Sequence, residues 1–286
     1  MISDALLDAV LDCVKMLPFL FAAFLLLEAL EHHVSEKMND ALARTRALGP
    51  LVGSLLGCVP QCGFSILASN FYAGGVISLG TLLSVYLATS DEALVILISG
   101  AAPAGRILMI IAAKIAIGLI AGYLVMAVMR LLRIRDRSEK KDIGDLCRDE
   151  SCGCHDEHAG LLKPALNHTI KIFLFIFVFT LILNIVLELI GLEHLSRILL
   201  ADSLFQPFLA ALIGLIPNCA ASVILTQLYM EGILSFGAVV AGLGSSAGLG
   251  LVVLFRINRD RKEDLIILAL LYGIAVLSGI ILQVIF

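Results

Sequence analysis

The chain has no tryptophan, only 15% of its 286 residues are charged, and neither end carries a long polar stretch. An average soluble protein carries about 25% charged residues. With 60% of its residues hydrophobic, a soluble domain of this length would be left with large exposed apolar patches. The composition therefore describes an integral membrane protein. It also excludes a disordered chain, a secreted disulfide scaffold and a nucleic-acid binder, because apolar content is too high and the net charge is only −4. Without tryptophan, an interfacial aromatic belt has to come from the 5 Tyr and 14 Phe. The start, Met1-Ile2-Ser3-Asp4, lacks the basic region of a signal peptide and carries Asp4, Asp8 and Asp12 instead.

Catalytic and nucleotide signatures are missing as well. No G-x-x-x-x-G-K-[ST] loop occurs, which argues against ATP-driven transport by this chain alone. No H-E-x-x-H occurs, so an intramembrane metalloprotease is not indicated. An aspartyl intramembrane protease needs two separated intramembrane aspartates, and only Asp91 qualifies. An intramembrane enzyme built on Cys62 or Asp91 would need a base beside its nucleophile, and no histidine maps to mid-membrane. The sequence is therefore read as that of a non-enzyme.

What the chain does have is apolar length. A spanning helix needs about 20 apolar residues. Leu17–Leu30 (extended back to about Val10), Ile107–Met129, Ala165–Ile190 and Leu265–Phe286 qualify. Two further apolar regions, Leu48–Gly105 and Phe205–Phe255, are interrupted by Pro, Gly and small polar residues. Each has room for three crossings, some of them short.

The second half repeats the first at a spacing of 157 positions. Gly57-Cys58-Val59-Pro60-Gln61-Cys62 lies over Gly214-Leu215-Ile216-Pro217-Asn218-Cys219. Ser65 lies over Ser222, Tyr72 over Tyr229, Gly75 over Gly232, Ser78 over Ser235 and Gly80 over Gly237. Such repeats are typical of secondary transporter folds. The fold expected is an all-α polytopic membrane protein of two inverted five-helix repeats with Pro-broken helices. Residues 1–131 form the first membrane repeat, 132–163 a cytoplasmic Cys/His-rich linker and 164–286 the second membrane repeat.

Charge placement sets the orientation, since Lys and Arg collect in cytoplasmic loops. Lys37, Arg44 and Arg46 mark the first loop. Arg130, Arg133, Arg135, Arg137, Lys140 and Lys141 mark the linker, and Arg256, Arg259, Arg261 and Lys262 the last loop. The matched stretches of the opposite half hold only Arg197 and Arg106. This pattern places both chain ends outside, the linker inside, and an odd number of crossings in each half. The membrane expected is the plasma (cell inner) membrane.

Pro60 and Pro217 interrupt helical segments, each removing a backbone hydrogen bond. Broken helices at matched positions of two repeats point to a transporter binding site. Cys58, Gln61, Cys62 and Ser65 surround one break, and Asn218, Cys219 and Ser222 the other. A plain kink with small residues packed nearby is the alternative. Thr89, Ser90, Asp91 and Glu92 form a second anomaly, because two adjacent carboxylates lie between apolar runs at about 2.5–3.5 kcal/mol each if at mid-membrane. Their repeat counterpart, Ser245-Ser246-Ala247-Gly248-Leu249, has no charge. These residues read as one cation or proton site on a symmetric frame, or as an interfacial helix start with Ser90 as N-cap. Lys114 either pairs with Asp91 or Glu92 or snorkels to the outer interface. Gly118-x-x-x-Gly122 and Gly244-x-x-x-Gly248 read as close helix packing.

In the linker, Cys147, Cys152, Cys154, His155 and His158 fall within twelve residues. Cytoplasmic thiols stay reduced and serve as soft ligands. Their spacing is not that of a zinc finger. The linker reads as a transient metal-capture segment, or as a merely polar loop.

The segments Gly57–Ser65, Ala88–Ala93 and Ile216–Ser222 resemble the family of ten-transmembrane heavy-metal exporters, members of which are labelled arsenic efflux or manganese transport proteins. The resemblance runs nearly end to end and takes in the linker and Asn167-His168-Thr169. It implies a ten-helix efflux permease. The function expected is secondary export of a heavy metal or metalloid from the cytoplasm. The thiols favour an arsenite-type substrate. Manganese, favoured by carboxylate and amide oxygens, is the rival. No permanently bound cofactor and no nucleic-acid partner are expected. The partners are the transported ion and the lipid bilayer, and Asp91 or Glu92 would carry a coupling proton or neutralise the cation.

Overall fold

The computed structural model describes residues 10, 14, 17, 18, 21, 22, 25, 46–59, 63–90, 93–100, 102–133, 162–190, 205–258 and 260–285. Every regular element among the described residues is helical. The first half supplies α1 (Gly49–Gly57), α2 (Gly63–Ala73), α3 (Leu79–Ala88), α4 (Ala93–Ser99) and α5 (Ala104–Leu131). The second supplies α6 (Leu162–Ile190), α7 (Gln206–Gly214), α8 (Cys219–Met230), α9 (Phe236–Ser245), α10 (Leu249–Ile257) and α11 (Arg261–Ile285).

The repeat read from the sequence reappears in the helix boundaries. α1 and α7, α3 and α9, and α5 and α11 each begin 157 residues apart. Local chemistry explains the match. Gly75 and Gly232 both take φ 75°, a left-handed turn that glycine adopts without Cβ strain, and each turn closes the helix before it. Three residues later, Ser78 and Ser235 cap the next helix, their hydroxyls accepting from Thr81 N at 3.2 Å and Ala238 N at 3.1 Å.

Among the described residues, four apolar stretches are long enough to cross a membrane: Leu79–Ser99, Ala104–Leu131, Phe236–Ile257 and Arg261–Ile285. The first is α3 continued into α4 across a break, and the third is α9 continued into α10. By contrast, α1 and α2 have 9 and 11 residues. At 1.5 Å per residue they reach about 14 and 17 Å, half of a hydrocarbon core about 30 Å thick. Gly49 abuts Thr81 at the start of α3, and Gly57 abuts Ala88 at its end. α2 leads directly back to the start of α3. α1 and α2 are thus the arms of a hairpin that enters and leaves at one end of the molecule. α7 and α8 form its counterpart, tied to the start of α9 by Gln206, whose side chain donates to Ile233 O at 2.9 Å and accepts from Ser235 N at 3.0 Å. Each apolar region, which had room for three crossings, some of them short, therefore holds one hairpin and one broken span. Hydropathy records their apolar length but not that the chain turns back.

Packing is reciprocal between the halves. α3 lies between α1 and α5, as α9 lies between α7 and α11. α2 packs on α10, and α8 packs on α4. Leu79, Leu82, Leu83, Leu254 and Ile267 share one apolar cluster with Met129 at its edge. Leu94, Leu97, Val239 and Val240 share another, edged by Ile107, Met230 and Leu282. α9–α10 therefore passes α3–α4 in the opposite direction, and α11 runs opposite to α5. Small residues permit the approach: a Cβ on Gly80 would lie 2.5 Å from Gly122 O. The packing expected of Gly118 and Gly122 is met, with Gly118 against Ser84 O of α3.

Candidate functional site at the crossing of two broken spans

α3 ends at Ala88 for local reasons. The Thr89 hydroxyl donates to Val85 O at 2.7 Å, and its backbone turns to φ −55°, ψ 125°. Side-chain competition of this kind for a helix carbonyl disfavours continuation. Ser90 Oγ donates to Ala88 O at 3.2 Å, and Ser90 O accepts from Ala93 N at 3.0 Å as α4 begins. Ser90 is 2% exposed. The Thr89–Ser90 break thus lies inside the helix bundle, not at an interface. On the facing span, α9 ends at Ser245, whose hydroxyl donates to Ala211 O at 2.7 Å and Gly242 O at 2.9 Å. Gly248 then takes φ 55°, ψ −144°, a region essentially reserved for glycine. The Gly244–Gly248 pair expected to pack helices has a different use: Gly248 makes the break.

The two breaks meet, and Lys114 lies between them. Its Nζ donates to Thr89 O at the end of α3 and to Leu243 O near the end of α9, the latter at 2.8 Å. Lys114 is 1% exposed, so the snorkelling alternative is overturned. From α5 its ammonium reaches inward to carbonyls that a break leaves without a helical donor. At membrane depth such carbonyls must find a partner within the protein. Both helices present their C-terminal, partially negative ends here, which a cation complements.

The hairpin tips approach the same place. Gly57 lies beside Val85 and Ala88, which brings the half-buried Cys58 thiol within electrostatic reach of Lys114. In the second half Leu215 packs against the apolar cluster that includes Leu87, Ala247 and Leu251. The helix is interrupted from Leu215 to Asn218, as Pro217 predicts. Asn218 caps α8, accepting from Ala220 N at 2.9 Å, and half-buried Cys219 opens that helix. The Ser222 hydroxyl donates to Cys219 O at 2.8 Å. Ser65 lies in the α2–α10 contact, where a Cβ on Gly250, two residues past Gly248, would lie 2.7 Å from it.

The structure therefore brings Cys58, Thr89 and Ser90 to one crossing, with the second proline break beside it. Gln61, Cys62, Asp91 and Glu92 lie outside the described residues, as do Cys147, Cys152, Cys154, His155 and His158. Among the described residues no three His, Cys, Asp or Glu side chains are grouped to hold a metal. Two residues not among the expected ligands belong here, Lys114 and Ser246. The Ser246 hydroxyl, 2% exposed, has no hydrogen-bond partner among the described residues. Its signal in the sequence was its repeat position, opposite Thr89.

A cavity of about 500 Å³ runs from the second break, at Leu215 and Pro217, past Phe175 and Phe255 to Arg256 and Arg261. Among the described residues, its charged lining is these two arginines, and Arg261 lies 3.9 Å from the Asp264 carboxylate. The Arg256 guanidinium lies 5.2 Å over the Phe175 ring.

A family model described as "Putative, 10TM heavy-metal exporter" matches residues 2–196 and 170–286, which together span almost the entire chain. No curated protein and no solved structure matches it.

Proposed function

Because the chain belongs to this family of heavy-metal exporters, we propose that it is a secondary transporter that carries a thiophilic metalloid, arsenite in type, out of the cytoplasm. The observation that carries this reading is the meeting of two broken spans, one from each half, beside the Cys58 thiol. Unwound segments at matched positions are where transporters hold their solutes. Cys58, Cys62 and Cys219 supply soft ligands, Gln61 and Asn218 polar lining, and Asp91 or Glu92 the coupling proton.

The halves are read as inverted repeats across the plasma membrane. In support, α3–α4 and α9–α10 run in opposite directions, and Arg130, Arg133, Arg256, Arg261 and Lys262 gather at the end of the molecule where α5 finishes and α11 starts. The positive-inside rule makes that end cytoplasmic, which puts the linker thiols where they capture the ion before transport. The cavity edged by Arg256 and Arg261 then opens toward the cytoplasm.

The test is efflux of arsenite and manganese from cells at matched expression, with two double variants. Cys62→Ser with Cys219→Ser exchanges soft ligands for hard ones and should abolish most arsenite efflux. Asp91→Asn with Glu92→Gln removes charge at constant size and should stop transport altogether. Arsenite export by the thiol variant at the normal rate would sink the soft-ligand reading. Manganese efflux that the thiol variant leaves intact would establish the oxygen-ligand rival.

A further inference from the structure

The arginine-edged cavity is one membrane leaflet deep. Its long wall is α10, from which Leu251, Val252 and Phe255 line it and Arg256 edges its mouth. α10 has 9 residues. At 1.5 Å per residue it is about 14 Å long, close to half of a hydrocarbon core about 30 Å thick. The inner end of the cavity is the second hairpin tip, at Leu215 and Pro217, and the outer end is the basic α10–α11 junction. Between them the described lining is aliphatic or aromatic, with Phe179 and Leu268 on the other walls. Water finds no hydrogen-bond partner along such a wall, and a hydrocarbon chain needs none. A volume of about 500 Å³ is within the range that holds a small ligand.

The mouth carries the charge. The Arg256 guanidinium lies 5.2 Å over the Phe175 ring, a contact that fixes its position but takes none of its five N–H donors. Among the described residues no carboxylate pairs with it. Its charged neighbours are engaged elsewhere, Arg261 with Asp264 and Phe255 O, and Glu263 with Tyr72 and Asn258. One repeat earlier, Phe255 and Arg256 are matched by Ile98 and Ser99. An aromatic wall beside a cation is therefore no requirement of the duplicated frame.

We propose that this cavity is a binding site for an anionic phospholipid of the leaflet at the basic end. One acyl chain lies along α10 as far as Leu215 and Pro217, and the phosphate accepts hydrogen bonds from the Arg256 guanidinium. Basic pockets between spanning helices favour anionic headgroups. A planar guanidinium meets a phosphate through two parallel N–H donors. The site is independent of which ion is carried, and the orientation reading decides only that the leaflet is the cytoplasmic one.

The chain has no tryptophan, so one introduced tryptophan reports alone. The full chain with Phe179→Trp, inside the cavity, is reconstituted in mixed phosphatidylglycerol and phosphatidylcholine, with bromine on the acyl chains of one lipid or the other. Val178→Trp reports from the exposed face of the same helix. Quenching at Phe179→Trp should show a preference of about five- to tenfold for phosphatidylglycerol, and at Val178→Trp one below about twofold. Adding Arg256→Gln should cut the preference in the cavity about fivefold, whereas Arg130→Gln, elsewhere at the basic end, should leave it. Equal preference at the two tryptophans, or equal loss from the two glutamine variants, overturns the site in favour of general attraction to a charged surface. Quenching of Phe179→Trp by neither lipid means that another part of the chain fills the cavity, and overturns it too. Release of the quenching by arsenite would assign the cavity to the solute path instead. If Phe179→Trp does not fold, Leu268→Trp reports from the opposite wall, and the wild type gives a second measurement. Its melting temperature in detergent should rise by about 3–6 °C with phosphatidylglycerol at tenfold its dissociation constant. The same rise with phosphatidylcholine or with inorganic phosphate, or no rise at all, overturns the proposal. None of these measurements involves transport, so they stand or fall apart from the arsenite reading.

Discussion

Tyr72 donates a 2.6 Å hydrogen bond to Glu263, which joins the last turn of a hairpin arm in the first half to the first turn of α11 in the second. Asn258 donates to the other Glu263 oxygen at 3.2 Å and to the buried Asp264 carboxylate at 2.7 Å. This polar knot lies at the end of the molecule where the basic residues gather, and it ties together two elements 191 residues apart. A carboxylate acceptor strengthens such a bond, and removing the donor costs about 1.5–3 kcal/mol. Tyr72→Phe should therefore lower the melting temperature by several degrees but leave solute affinity alone, because the crossing is elsewhere. Thermal unfolding followed by intrinsic tyrosine fluorescence, alongside arsenite KM in liposomes, checks both halves of the statement. A changed KM at an unchanged melting temperature would contradict it.

Gly248 supplies a second stability prediction. Its φ of 55° with ψ −144° is open to glycine and costs other residues about 1–3 kcal/mol. Gly248→Ala should thus either drop the melting temperature or draw the break toward a continuous helix. In both cases Leu243 O is no longer held opposite Lys114, and transport falls. Gly244→Ala is the control. A Cβ there would meet Ala275 at 3.6 Å, an ordinary contact, so that variant should fold and melt normally.

Much of this frame is written in residues whose constraint is local. Gly75 and Gly232 need a left-handed turn, Ser78 and Ser235 need to cap, and Pro217 cannot continue a helix, so each shows at its own position and again one repeat away. The site is less legible because its contacts are long-range. Nothing near Lys114 in sequence reveals that its ammonium meets Leu243 O, 129 residues away. Gly248 fits a small-residue packing pattern equally well until its backbone angles are known. Hydropathy left room for three crossings in each apolar region because it measures apolar length, and it does not show that α1 and α2 turn back while α3 and α4 join into one broken span. Ser246 looks like an empty copy of the Thr89 position; its buried hydroxyl, without a hydrogen-bond partner among the described residues, becomes visible only in the folded bundle.

The linker yields a prediction about sensitivity. Replacing Cys147, Cys152 and Cys154 together by Ser removes soft ligands from the segment proposed to capture the ion. Such a segment raises the local concentration of its ion without setting the rate of crossing. The triple variant should need more arsenite to reach half-maximal efflux yet attain the same maximal rate. Rate against internal concentration, measured in inverted vesicles, separates these effects. A collapsed maximal rate at normal protein level would place the thiols in the transport site itself.

Orientation is the last prediction, and it follows from packing as much as from charge. The start of α1, the end of α5 and the α10–α11 junction lie at one end of the molecule, with Arg130, Arg133, Arg256, Arg261 and Lys262 among them. Gly100, Ile107, Met230 and Phe236 lie at the other, where Arg106 is the nearest basic residue in sequence. Basic residues are retained on the cytoplasmic side. On this rule α5 should end on the cytoplasmic side and α11 leave it. A reporter fused after Ser138 should accordingly read cytoplasmic, and one fused at Phe286 should read external. The same geometry makes a sharper demand on the hairpins, because an arm of about 14 Å cannot deliver its tip to the far surface. A cysteine introduced at Ser99 should therefore react with an impermeant thiol reagent added outside. A cysteine at Val76, at the mouth of the first hairpin, should react only from within. Labelling of both positions from the same side would mean that Leu79–Ser99 does not cross, and the opposed arrangement of the two halves would fall with it.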